Sequence, residues 1–221
     1  MKQKQFSIIF GIILLTELSA SIFTRLEPMR FFTKPAITIS LILFLTTRKE
    51  VSTRTKKFLI LGLLFSLMGD ILLMFTSHGE LYFMAGLFSF LLAHVMYITA
   101  FYIKGMLKNK AILPFLIALC TYAATALYFI GPKLGGLMPY VVAYIFVILI
   151  LGLVALLRKH ITNNLSYLLL LIGALCFIAS DTLLAFNKFY QHFSVSAVLI
   201  MLTYGLAQVL IVYAGIAENK K

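Results

Sequence analysis

Eight apolar segments, each 16 to 25 residues long, take up roughly three quarters of the 221-residue sequence. A helix needs about 17 to 25 such residues to cross a bilayer, so each segment predicts a transmembrane helix. The chain is 62% hydrophobic and only 12% charged, which leaves too little polar surface for a water-soluble protein. We therefore predict an all-α, multi-pass integral membrane protein, in the cell (inner) membrane if its source is bacterial. The predicted spans cover residues 6–23, 31–46, 58–75, 81–103, 111–130, 137–157, 165–186 and 193–217.

Lysine and arginine are divided unevenly between the loops. With a cytoplasmic N-terminus, fourteen of them lie on the cytoplasmic side and five on the other side. The positive-inside rule then predicts that both termini are cytoplasmic. The net charge of +12 records this topology and contact with anionic lipids, and its scatter between apolar segments argues against nucleic acid as a partner. Glu17 interrupts the first segment, so we expect a retained span rather than a cleaved signal peptide.

Two short motifs occur twice in the chain. Asp70-Ile-Leu-Leu-Met-Phe75 in span three is echoed by Asp181-Thr-Leu-Leu-Ala-Phe186 in span seven, and Leu92-Ala-His94-Val is echoed by Leu206-Ala-Gln208-Val. The order and spacing of these echoes predict an internal duplication. A single membrane domain would then consist of two four-helix halves, residues 1–108 and 109–221. Because four is even, the halves would run in the same direction across the membrane.

Ionisable residues inside the spans are the strongest functional signal, because each costs several kcal/mol in hydrocarbon. Asp70 and Asp181 each lie five residues before the end of their span, about 7–8 Å inside the extracytoplasmic boundary. Glu17 and Lys34 fall near the same depth, on two other spans. Glu17 could instead form a structural ion bridge, and Lys34 could extend to the interface, whereas a short aspartate cannot. We therefore predict that the two aspartates are catalytic.

Four more polar residues lie deeper in the predicted bundle. His94 and Gln208 occupy matching positions of spans four and eight, and a hydrogen bond between them could hold the halves together. Alternatively, His94 could support the aspartates or relay a proton. Tyr97 and Tyr204 could line the same interior and contact a substrate. Cys120 and Cys176 lie in apolar runs and are expected to pack without forming a disulfide.

A pair of buried carboxyl groups can divide the work of acid catalysis. In a medium of low dielectric constant one can stay protonated and donate, while the other is ionised and stabilises developing positive charge, as in glycosidases. We expect Asp70 to be the acid, because Asp181 is flanked by Ser180 and Thr182 and lies two turns before Lys188. The sequence has no cluster of metal-ligand spacing, no nucleophile elbow and no phosphate-binding glycine loop, so we expect no metal and no cofactor.

The ordered motifs resemble those of the lysoplasmalogenase family, also called YhhN-like membrane proteins. They are Lys34-Pro35, Gly69-Asp70-x-x-Leu, Leu92-Ala-His94-x-x-Tyr97, Ser180-Asp181-x-x-Leu-Ala185 and Tyr204-x-x-Ala-Gln208. The resemblance covers nearly the whole chain. It implies a membrane hydrolase that cleaves the vinyl ether bond of a lysophospholipid, giving a fatty aldehyde and a glycerophospho-base. It also implies that the family's two essential aspartates correspond to Asp70 and Asp181, whereas Glu17 has no counterpart that we can place.

With this substrate, Lys34 would neutralise the lipid phosphate at the interface, in a cavity open to the extracytoplasmic half. Five more residues would complete the substrate-binding site, namely Glu17, His94, Tyr97, Tyr204 and Gln208. Membrane lipids would surround the protein. Two other classes of protein are compatible with the same pattern. A proton- or ion-coupled transporter also has paired halves and membrane carboxylates, and a lipid-binding scaffold would need no turnover at all.

Overall fold

The computed structural model describes residues 1–108 and 112–218, and within them eight long helices occur and no strand. All eight are long and apolar enough to cross a membrane, which confirms the predicted all-α membrane fold. They are α1 Gln3–Ile22, α2 Arg30–Thr46, α3 Thr53–Met74, α4 Glu80–Phe101, α5 Ile112–Ile130, α6 Met138–Leu157, α7 Asn164–Ala185 and α8 Ser196–Ala217.

Part of the topology prediction falls on residues that are not described. Residue 111, the predicted start of the fifth span, and Lys110, Lys220 and Lys221 lie outside the described residues. The cytoplasmic position of the termini therefore stays a prediction.

Three helices begin three or more residues from the predicted position, and the other boundaries agree within two residues. Helix α1 begins at Gln3 rather than at residue 6, and the other two differences have local reasons. Helix α3 begins five residues before residue 58, because the Ser52 hydroxyl caps it by accepting a hydrogen bond from the backbone N–H of Thr55 at 3.1 Å. Helix α8 begins at Ser196 rather than at residue 193. Residues 193–195 form a turn instead, in which the Ser196 N–H donates to the Phe193 carbonyl at 3.0 Å. Further upstream a π-helical turn, Phe186–Tyr190, directly continues α7. This turn carries Lys188 toward the site described below.

The first four helices and the last four helices pack in a similar pattern. Helix α3 lies along α4 and α7 lies along α8, and these are the two most extensive contacts. Helix α2 packs on α3 as α6 packs on α7, while α4 contacts α6 and α8 contacts α2. Helix α1 also packs on α8, whereas α5 lies at the periphery against α6. This packing is what a duplication would produce, although the duplication itself stays a prediction.

Glycine residues allow α3 and α4 to approach closely. A Cβ atom at Gly62 would lie 2.3 Å from the Tyr97 ring, and one at Gly69 would lie 2.7 Å from the Phe90 ring. Neither ring could keep its position against a larger residue. The close approach places Tyr97 and Phe90 in the centre of the bundle, beside Asp70 of α3.

Candidate active site

A polar chamber opens at one end of the bundle. It lies at the end where α1 joins α2, α3 joins α4 and α7 joins α8, which is the end predicted to be extracytoplasmic. The cavity volume is about 310 Å³, well above the ~10–15 Å³ that one water molecule needs. Asp70 and Asp181 both line it, together with Lys34 and Tyr204. Four of the residues singled out in the sequence, from four different helices, are thus brought to one cavity.

Asp70 is held by three side chains from other helices. The Lys34 ammonium lies 3.4 Å from its Oδ1, the Tyr204 hydroxyl donates to its Oδ2 at 2.5 Å, and the Thr38 hydroxyl donates to the same oxygen at 3.1 Å. Only 1% of Asp70 is exposed. A carboxylate with a cation and two hydroxyl donors is well suited to carry negative charge at a fixed position.

The sequence analysis did not include Thr38 in the site. Its spacing could have identified it, because Thr38 follows Lys34 by four residues and therefore lies on the same face of α2. A Thr hydroxyl one turn from a membrane-embedded lysine is a natural donor to the carboxylate that pairs with it. Thr38 is also within 3.2 Å of the Tyr204 hydroxyl, which joins α2 to α8 at this point.

Asp181 has different surroundings. The Tyr144 hydroxyl donates to its Oδ2 at 2.7 Å, and Nε2 of His94 lies 3.7 Å from that oxygen. Among the described residues no lysine or arginine lies within ion-pair distance of Asp181, and 15% of its side chain is exposed. Tyr144 was missed because a tyrosine in the middle of a span gives no signal that separates a catalytic partner from ordinary packing.

Of the two alternatives for His94, the hydrogen bond to Gln208 is not present in the structure. The Gln208 carbonyl instead accepts a hydrogen bond from the Tyr97 hydroxyl at 2.7 Å. His94 points toward Asp181, and its ring packs edge-on against Phe177 with centroids 4.8 Å apart. Helices α4 and α8 are therefore joined by Tyr97 and Gln208. These two residues and His94 were predicted to contact the substrate, but all three are fully buried and do not line the chamber.

Glu17 is placed beside the chamber rather than in its wall. It is fully buried, forms an ion pair with Nε of Arg30 at 3.0 Å and accepts a hydrogen bond from the Thr33 hydroxyl. Arg30 in turn lines the chamber. The structure thus separates Glu17 from Asp70 and Asp181, and gives it the position of a residue that orients Arg30.

Several cationic or polar side chains surround the chamber mouth that the sequence analysis did not assign to the site. Arg30, Lys188 and His192 line the chamber together with Asn187. Three of them come from the π-helical turn after α7 and the loop that follows it, whose course could not be read from hydropathy. Together with Lys34 they make the mouth suitable for an anionic group such as a phosphate.

The described parts of the chain, residues 1–108 and 112–218, contain no group of three or more His, Cys, Asp and Glu side chains placed to hold a metal ion. The side chains that line the chamber are suited to acid–base and electrostatic chemistry. A proton donor, a second carboxylate and a nearby tyrosine hydroxyl are the groups available to it.

Comparison with known proteins gives the family. A model described as "YhhN family" matches residues 29–215, which is most of the chain. The chain belongs to the YhhN family. The resemblance drawn from the ordered motifs is confirmed, and the matched region of this YhhN-family protein contains Lys34, Asp70 and Asp181 but not Glu17.

Two curated relatives carry the same name. The chain is 33% identical to lysoplasmalogenase TMEM86A of Bos taurus and 34% identical to lysoplasmalogenase TMEM86A of Homo sapiens, over 164 residues in each case. Each alignment covers 72% of this chain and 65% of the relative, so the chain spans a little less than two thirds of the length of these relatives. No solved structure matches the chain significantly.

Proposed function

We propose that this protein is a lysoplasmalogenase, which hydrolyses the vinyl ether bond of a single-chain lysophospholipid. The observation that carries the proposal is the position of Asp181, which lines both the polar chamber and an adjoining apolar groove. A vinyl ether bond joins a polar head group to a hydrocarbon chain, so a catalytic group for its cleavage belongs at such a junction. The names of the curated relatives support the same activity.

The contacts of the two aspartates favour the opposite roles to those that their flanking residues suggested. Asp70 already has the Lys34 ammonium and two hydroxyl donors, so its negative charge is fixed in place. In the described parts of the chain Asp181 has no lysine or arginine partner, and it accepts one hydrogen bond, from Tyr144. We therefore assign the transferable proton to Asp181 and the stabilising charge to Asp70.

The reaction then proceeds in three steps. Asp181 donates its proton to the alkenyl carbon distal to oxygen, and the adjacent carbon and the ether oxygen share the resulting positive charge. A water molecule from the chamber adds to the carbon bonded to the ether oxygen, and Asp181 accepts a proton from that water. The hemiacetal collapses when its hydroxyl proton passes to the ether oxygen, which releases a fatty aldehyde and the glycerophospho-base. Asp181 ends protonated, as it began.

Electrostatic stabilisation comes from the fixed carboxylate of Asp70. A preorganised charge in a site of low dielectric constant stabilises a developing cation without reorganising during the reaction. The lipid phosphate would lie at the chamber mouth, near Lys34 and Lys188, where the positively charged side chains face the cavity. Tyr204 keeps Asp70 oriented from the opposite wall.

The test uses the full chain, purified in detergent and incubated with a 1-alkenyl lysophospholipid, with aldehyde release as the measurement. Wild type should release aldehyde, and Asp181→Asn and Asp70→Asn should each lower kcat by about 10²–10⁴. Glu80→Gln is the matched control, because Glu80 is an exposed carboxylate at the start of α4, outside the chamber. Wild-type rates in either aspartate variant would refute the two-carboxylate mechanism. Absence of aldehyde from the wild type would favour a transporter or a lipid-binding scaffold.

A further inference from the structure

An apolar groove joins the polar chamber at Asp181. It is formed by α4, α5, α6 and α7, and its walls are apolar apart from Asp181, Thr182, Tyr122 and Tyr144. Its cavity volume is about 50 Å³, much smaller than the roughly 310 Å³ of the chamber. A small apolar groove beside a larger polar cavity suits the two ends of a lipid, with the head group in the cavity and the hydrocarbon chain in the groove.

Phe83 lies where the cavities meet. Its side chain lines the chamber, the groove and a third pocket on the outer face of α4 and α6, which is apolar apart from Tyr140 and Tyr144. Only 3% of Phe83 is exposed, and its ring packs edge-on against Phe189 with centroids 5.6 Å apart. Phe88, which lines that third pocket, is 61% exposed, as expected for a residue that faces lipid. The groove therefore lies one aromatic ring away from the hydrocarbon of the bilayer.

We propose that this groove binds the alkenyl chain of the substrate and sets the chain-length preference of the enzyme. The inference rests on the proposed function. When the head group occupies the chamber, the bond to be cleaved lies beside Asp181, and the hydrocarbon chain continues from that point into the groove. The small cavity volume of about 50 Å³ leaves room for part of one hydrocarbon chain and not for two, which favours a lysophospholipid over a two-chain phospholipid.

Helix α5 offers a matched pair of variants. Ala126 is buried and lines the groove, whereas Ala123, three residues earlier, lines a different apolar pocket between α5 and α6. Leucine at position 126 should fill part of the groove. The kcat/KM for an 18-carbon alkenyl chain should then fall by about tenfold or more relative to that for a 3-carbon alkenyl chain, which occupies little of the groove, since one methylene in an apolar pocket is worth about 10- to 200-fold.

Failure of the groove proposal can be distinguished from failure of the proposed function by comparison with the wild type and with a control variant. Ala123→Leu should keep the wild-type profile of rate against chain length. Identical profiles for Ala126→Leu and wild type would overturn the groove proposal while leaving the proposed function intact. A wild type without aldehyde release would instead overturn the function, and the groove is then judged by binding alone.

Binding can also be measured by fluorescence with a lipid that is not cleaved. Because the chain contains no tryptophan, a single introduced tryptophan is the only one that reports. Phe189→Trp places one fluorophore in the groove wall, and Phe146→Trp places one on a 66% exposed, outward-facing position as a control. The probe is a 1-O-alkyl lysophospholipid with a brominated chain, which lacks the vinyl double bond and quenches tryptophan. Saturable quenching at position 189, reversed by the unbrominated lipid, is expected, with only linear quenching at position 146. Linear quenching at both positions would refute the proposal.

Discussion

Replacing Lys34 by methionine removes the only ammonium group that lies within ion-pair distance of Asp70 in the described parts of the chain. Lys34 Nζ is 3.4 Å from Asp70 Oδ1, and the side chains are 11% and 2% exposed. At an effective dielectric constant of about 20 the gross attraction at this distance is about 5 kcal/mol, before the cost of desolvation. Removal of one partner of a buried ion pair typically costs about 3–5 kcal/mol, because the other charge is left uncompensated.

The second substitution in this test is Asp70→Asn. In Lys34→Met/Asp70→Asn neither charge remains, and an asparagine carbonyl can still accept the hydrogen bonds of Tyr204 and Thr38. We therefore expect the double variant to regain most of the stability that Lys34→Met loses. It should not regain activity, since the stabilising carboxylate is absent.

Stability is measured by thermal unfolding of the detergent-solubilised protein, and activity is measured by aldehyde release. Lys34→Met should unfold at a clearly lower temperature than wild type, and the double variant should lie between the two, close to wild type. Lys57→Met, at an exposed position near the other end of the bundle, is the control and should leave both quantities unchanged. A Lys34→Met protein as stable as wild type, or a double variant no more stable than Lys34→Met, would refute the reasoning.

Three further substitutions test separate parts of the site. Tyr144→Phe removes the hydroxyl that donates to Asp181 at 2.7 Å, so kcat should fall about tenfold or more in steady-state assays while chain-length preference is kept. Lys188→Gln removes a charge from the chamber mouth, so KM should rise with little change in kcat, and KM should depend less on salt than in wild type. Gly62→Ala would force a Cβ to within 2.3 Å of the Tyr97 ring, so thermal unfolding should report a loss of about 1–3 kcal/mol.

The helices were predictable because hydrophobicity is a property of each residue and adds along a segment. All eight predicted spans correspond to helices, and the errors lie at their ends. At α3 the cap on Ser52 extends the helix through polar residues that hydropathy excludes. At α8 the predicted residues 193–195 instead form a turn, in which the Ser196 N–H donates to the Phe193 carbonyl at 3.0 Å, so the helix begins only at Ser196. In both cases backbone hydrogen bonding, rather than apolarity, decided where the helix begins.

The pairing of charges was not predictable in the same way. A depth estimate places Glu17, Lys34 and Asp70 at one level, but it contains no information on how each helix is rotated about its axis. Rotation decides that Glu17 meets Arg30 while Lys34 meets Asp70. It also decides that Gln208 meets Tyr97 rather than His94. These choices depend on packing across the whole bundle, which a single sequence does not specify.

The difference between the two aspartates arises outside the motif that they share. Asp70 and Asp181 both stand before two leucines near the end of the third helix of their half, so their local sequence gives them equal chemistry. Their partners come from the second helix of the same half and from the last helix of the other half. For Asp70 these helices supply Lys34 and Tyr204, and for Asp181 they supply Tyr144 and His94. If the halves arose by duplication, each copy brought one carboxyl group. Divergence of the neighbouring helices then left Asp70 paired with a lysine, and left Asp181 without a lysine or arginine partner among the described residues. A reaction that needs one fixed charge and one transferable proton requires this inequality between two otherwise similar groups.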